Sequence, residues 1–93
     1  GLALPDDVCT IRSISVGVVD IFRERLLDSE NFAYITPGTF QPVLGRTPDG
    51  WYWIDATGAY DLGTGEAASG TGWVSDRSPI GLFGPCADMP VLQ

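Results

Sequence analysis

Apolar and polar residues alternate over short stretches of this chain, and turn-forming residues separate them. "CTIRSIS", residues 9–15, carries β-branched Thr10, Ile11 and Ile14 in a strand-like run. "VGVVDIF", 16–22, follows after a bend at Gly17. "AYIT", 33–36, leads into the turn dipeptide Pro37–Gly38. "TFQPVLG", 39–45, reads as a strand in which Pro42 predicts an edge or a bulge, because proline has no N–H to give to a ladder. "RTPDG", 46–50, is a tight turn, with Pro48 at its first central position and Gly50 at a left-handed site. "WYWID", 51–55, and "GWVS", 72–75, are strands, "DRSP", 76–79, is a turn, and "IGLFGPC", 80–86, is the last strand. Residues 56–70 form a loop rich in Gly, Ala and Thr.

Only "IFRERLLDSE", residues 21–30, competes as a helix, with Ile21, Phe22, Arg25, Leu26 and Leu27 near helical spacing. β-type residues precede it and turn residues follow, so it is a minority reading. Twelve Gly and seven Pro, spread throughout, interrupt every other helical window. Short strands separated by many turns predict an all-β barrel or sandwich. No internal repeat is present. Residues 1–8 are expected to be a flexible segment or an expression remnant, 9–90 a single domain and 91–93 a tail.

Composition narrows the function classes. The chain has 93 residues, enough for one small domain. Its net charge of −7, with five arginines and no lysine, excludes the clustered positive charge that nucleic-acid or anionic-membrane binding needs. No apolar run is long enough to span a bilayer. Membrane insertion is therefore not expected.

The two cysteines, Cys9 and Cys86, bracket nearly all of the domain. They read as a structural disulfide, with two buried free thiols as the alternative. Closing so long a loop would stabilise a small domain by roughly 4–5 kcal/mol in the chain-entropy model. A disulfide implies an oxidising compartment, hence a secreted or cell-surface protein.

Catalytic chemistry finds little to work with. The absence of histidine removes Ser-His-Asp triads, Cys-His dyads and histidine metal sites. "DATGAYDLGTGE" lacks the calcium-loop spacing, and "GTGEAASGTG" lacks the lysine of a phosphate loop. A carboxylate pair such as Asp55 with Asp61 or Glu66 would need a defined cleft, and a barrel this small rarely offers one. The expectation is no enzyme, no metal and no cofactor.

Taken in order, "VDIF" (Val19–Phe22), "PG" (Pro37–Gly38), "DGW" (Asp49–Trp51) and "GWV" (Gly72–Val74) resemble the bacterial SH3-like (SH3b) domain family. The flanking "CTIRS" and "GPCADMPV" resemble extensions of secreted members, whose paired cysteines tie the chain ends together. The resemblance covers most of residues 9–90. It departs from the family in "FRERLLDSE", which lacks the usual Gly or Pro, and in the long 56–70 loop. It implies a small SH3-like barrel of about five to seven short strands.

Side chains alternate along a strand, so Trp51, Trp53 and Asp55 share one face and Tyr52 and Ile54 the other. The resemblance implies that Tyr52 and Ile54 point into the barrel. Trp51 and Trp53 then face outwards, either covered by the domain's own loops (23–33, 56–70 and the termini) or lining a groove. Phe32 and Tyr34 are expected in the core or groove wall, and Trp73 in the barrel wall with an edge open. The expected binding residues are Trp51, Trp53, Tyr60 and Trp73, with Arg23 and Glu24 at the groove edge. The family's role implies a noncatalytic binding module for cell-wall polymer (peptidoglycan) or extended peptide. The alternative is a structural spacer or assembly domain of a larger secreted protein, with another protein as its partner. Nothing in the sequence sets the oligomeric state.

Overall fold

The computed structural model describes residues 8–92. The expected N-terminal segment, 1–8, therefore lies outside the described residues except for Val8, as does Gln93 at the other end. Eight strands follow in chain order: β1 (Thr10–Ser13), β2 (Val19–Phe22), β3 (Asn31–Ile35), β4 (Phe40–Arg46), β5 (Trp51–Asp55), β6 (Tyr60–Asp61), β7 (Thr71–Ser75) and β8 (Ile80–Phe83). They form one antiparallel sheet in the order β6-β3-β2-β7-β5-β4-β1-β8. A short 3-10 turn, Cys86–Asp88, follows.

All-β architecture and the Cys9–Cys86 disulfide are present as expected. Among the described residues the strands number eight rather than about five to seven, and their sheet is not closed, with β6 and β8 at its two ends. The helical alternative for 21–30 does not form: Ile21 and Phe22 lie in β2, and the chain then turns. The extra strand, β6, lies inside the expected 56–70 loop. Its two residues pair with β3, Tyr60 opposite Tyr34 and Asp61 opposite Ala33. Two residues are too few to show any period.

One face of the sheet closes on a single core. Ile11, Val19, Ile21, Ile35, Ile54 and Val74 are fully buried there. Strands from both ends of the sheet, β1 and β3 among them, contribute to this one cluster. The sheet must therefore curl around it. Gly72 sits at a close approach between β7 and the side chains of Ile21 and Phe32. A Cβ added there would lie 2.4 Å from Ile21 Cγ2 and 2.9 Å from the Phe32 ring.

Pro42 is not on an edge, since β4 runs between β5 and β1. The register shifts just after it, between Val43 and Gly45, so the expected bulge is adjacent. The β4–β5 register places position 42 opposite Asp55, where a backbone N–H would meet the Asp55 carbonyl. Proline cannot donate there. The buried Gln41 side chain does instead, its Nε2 donating to the Asp55 carbonyl at 2.8 Å and to the Thr57 carbonyl at 3.0 Å.

The β4–β5 connection is the expected tight turn. Thr47 N–H donates to the Trp51 carbonyl at 2.8 Å, and Thr47 Oγ1 accepts the Trp51 N–H at 3.2 Å. Gly50 has φ +95°, a backbone state that L side chains rarely adopt. At the far end the chain returns to β4. Arg46 N–H donates to the Pro90 carbonyl at 2.9 Å, and Leu92 N–H to the Arg46 carbonyl at 2.6 Å. Of the expected tail, Val91 and Leu92 are thus held against the sheet.

Candidate functional site

The sheet's outer face carries the aromatic residues. On β5, Ile54 is fully buried and Tyr52 packs against the core cluster, so this face points inwards as expected. Trp51, Trp53 and Asp55 project from the other side.

Trp53 stands directly opposite Trp73 of β7. In the same ladder the N–H of Ala56 reaches the Gly70 carbonyl, and that of Asp76 reaches the Gly50 carbonyl. Hydrogen-bonded pairs alternate along an antiparallel ladder, so Trp53–Trp73 is a non-hydrogen-bonded pair, the kind whose side chains lie closest. The indoles stack with centroids 6.3 Å apart and planes inclined by 29°. Both are half-buried. The Arg25 guanidinium lies over the Trp73 ring, 5.1 Å from its centroid.

Trp73 also pairs with Phe22 on its other side. Phe22 meets Trp51 edge-to-face at 5.9 Å. Trp51 is only 7% exposed. Part of the expected 23–33 loop, residues 25–27, borders a cleft of about 210 Å³ beside it. A second cleft, about 350 Å³, lies between Trp51, Arg46, Asp76 and Val91. Trp53 lines neither of these clefts. Its β4 neighbour is Gly45, and Leu92 fills the space above that glycine.

A second aromatic pair lies across β2. Tyr34 and Tyr60 stack with centroids 6.2 Å apart and planes within 9°. Tyr60 is 45% exposed. Asp20 of β2 stands opposite Tyr34. It accepts a 3.2 Å hydrogen bond from Asn31 Nδ2.

Asp55 adds a second carboxylate on the Trp53 side. Its Oδ1 accepts the Thr57 N–H at 2.9 Å. Hydrogen bonds from the Thr57 side chain and backbone hold its pKa below the ordinary aspartate value, against a small opposing cost of burial.

The structure thus brings Trp53 and Trp73 together and places Tyr60 in a separate pair with Tyr34. Trp51 serves as packing against Phe22. Arg23 stacks over the Phe32 ring at 4.4 Å, covering an otherwise buried core residue. Glu24 is exposed, and its carbonyl accepts a bond from Ser29 Oγ at 3.3 Å. Sequence reasoning left Tyr34 between core and groove wall, and it missed Asp20 as a member of this face. Alternation in β3 was a usable signal for Tyr34, which falls between buried Ala33 and Ile35. Among the described residues, no group of three or more potential metal ligands gathers, and no helix is long and apolar enough to cross a membrane. No family model, curated protein or solved structure matches this chain.

Proposed function

We propose that this chain is a noncatalytic extracellular binding module of the SH3-like barrel type, which takes an extended cell-wall glycan on its outer aromatic face. The observation that carries the reading is the Trp53–Trp73 stack, half-buried on the sheet surface rather than in the core. Indole rings offer the flat apolar area on which a sugar ring stacks. Asp55 and Asp20 supply acceptors for sugar hydroxyls beside the two aromatic pairs, and charged acceptors make the stronger hydrogen bonds. The disulfide supports an oxidising compartment. The net charge of −7 argues against polyanionic partners.

The test is retention on insoluble peptidoglycan at moderate salt, comparing the wild-type chain with Trp53→Ala. Retention that this variant loses supports the reading. No retention of the folded wild-type chain overturns it. One observation favours the second reading, a spacer or assembly domain: Trp51 is covered by the protein's own residues.

A further inference from the structure

The two edges of the sheet are finished differently. β6 is two residues long and carries Asp61, a common way to blunt an edge. β8 is four residues long, "IGLF", with no charge and no proline. An edge of that kind is a template for another strand.

The register shows which groups β8 leaves open. Ile14 N–H donates to the Pro79 carbonyl at 3.0 Å. Bonded and non-bonded pairs alternate, so Arg12–Gly81 and Thr10–Phe83 are bonded pairs in the same ladder. Gly81 and Phe83 thus turn their backbone groups to β1, while Ile80 and Leu82 turn theirs outwards. The Ile80 N–H is already given to the Ser78 carbonyl at 2.8 Å, and the Gly84 carbonyl accepts the Cys86 N–H at 2.8 Å. Among the described residues, four groups remain on the open side: the Ile80 carbonyl, the Leu82 N–H and carbonyl, and the Gly84 N–H.

This set is self-complementary. Place a second β8 antiparallel to the first, with Leu82 opposite Leu82 of the second copy. The two leucines then exchange both of their hydrogen bonds. Each Gly84 N–H meets the Ile80 carbonyl of the other copy. The two groups this register would leave over, Ile80 N–H and Gly84 carbonyl, are the two already bonded within each chain. We infer that β8 is a self-association edge, through which two copies of this chain join into one continuous sheet.

The surroundings fit such a pairing. Phe83 is 40% exposed, Ile14 65% and Val16 99%. Phe83 and Ile14 both crowd the outer side of Gly81, at 3.1 Å and 2.8 Å from where its Cβ would be. In the proposed register Gly81 faces Phe83 of the second copy, so the apolar residues of both copies form one patch. The loop that presents Val16 is held in shape by Ser13 Oγ donating to the Gly17 carbonyl at 2.8 Å and by Gly17 N–H donating to Ser15 Oγ at 3.1 Å. Arg12, 3.7 Å over the Phe83 ring, places positive charge beside the edge of an otherwise acidic chain. Four hydrogen bonds and a modest patch make the dimer weak and concentration-dependent.

Sedimentation equilibrium from micromolar to millimolar chain, with amide hydrogen exchange at both ends of that range, tests the inference. The wild-type chain should dimerise, and the Leu82 and Gly84 amides should gain protection as it does. Leu82→Pro removes an outward N–H without breaking an internal bond. It should weaken association roughly tenfold or more. Phe83→Lys, a charge at an exposed edge position, should do the same and guards against a folding defect in the proline variant. A wild-type chain that stays monomeric, or a dimer that survives in both folded variants, overturns the inference. So does a monomer that binds a capped 79–85 peptide and its scrambled form equally, which would assign the edge to a foreign strand.

Discussion

Trp53 and Trp73 face each other across β5 and β7 with their rings 6.3 Å apart, twenty residues apart in sequence. Neither strand buries this pair by itself. The stack forms because the β5–β7 ladder puts both residues at one non-hydrogen-bonded position on the outer face.

Replacing Trp53 or Trp73 with Ala should reduce retention on peptidoglycan at least about tenfold, a loss near 1.4 kcal/mol. Each change should also abolish the indole exciton signal in circular dichroism. Tyr60→Ala should weaken retention less, because its stack lies across β2 from the indoles. Trp51→Phe should leave retention close to wild type while lowering stability, since Trp51 packs on Phe22. Binding measurements paired with thermal unfolding of each variant separate these outcomes.

Gly72→Ala should destabilise the fold by about 1–3 kcal/mol, the usual range for overpacking. The added methyl has no room between Ile21 and Phe32. Urea unfolding measures it, and a midpoint equal to wild type would contradict the close approach seen here.

Gln41→Leu should cost about 1–3 kcal/mol, because it strips the Asp55 and Thr57 carbonyls of their donor. Faster exchange of neighbouring amides in β4 and β5 should accompany the loss. If the carbonyls mattered little, the apolar leucine would be neutral.

Cys9→Ser with Cys86→Ser should destabilise by about 2–5 kcal/mol, through the freedom returned to the unfolded chain. The bond links residues 77 apart. It also anchors the segment leading to Pro90 and Leu92. Hydrogen exchange at Arg46 and Leu92 should therefore rise more than exchange in β5.

Acid titration should find the Asp55 carboxyl below the ordinary aspartate value. A depressed folded pKa contributes stability above the unfolded pKa and loses it as pH falls through the folded value. The loss therefore belongs to pH below the ordinary aspartate range and should be small, because Asp55 remains open to solvent. Thr57→Val should raise the Asp55 pKa in a carboxyl-detected NMR titration.

Much of the strand layout was legible because its causes are local. Alternation marked β5 and placed Trp51 and Trp53 on one side and Ile54 on the other. Pro37–Gly38 and Asp49–Gly50 marked turns through their own backbone limits. β6 was not legible, since two residues gain strand character only by meeting the β3 edge. Nor was the replacement of the missing Pro42 donor by Gln41, which depends on the β4–β5 register.

The sequence by itself determined the all-β character, the tight turns and the splitting of "WYWID" into two faces, because period and turn chemistry act over a few residues. Only the tertiary structure decided what those faces meet. Phe22 from β2 covers Trp51, whereas Trp73 from β7 stacks on Trp53 and leaves both indoles half-open. Those outcomes rest on strand order and register, which arise from packing distant segments around one core and leave no mark in any single stretch of the chain.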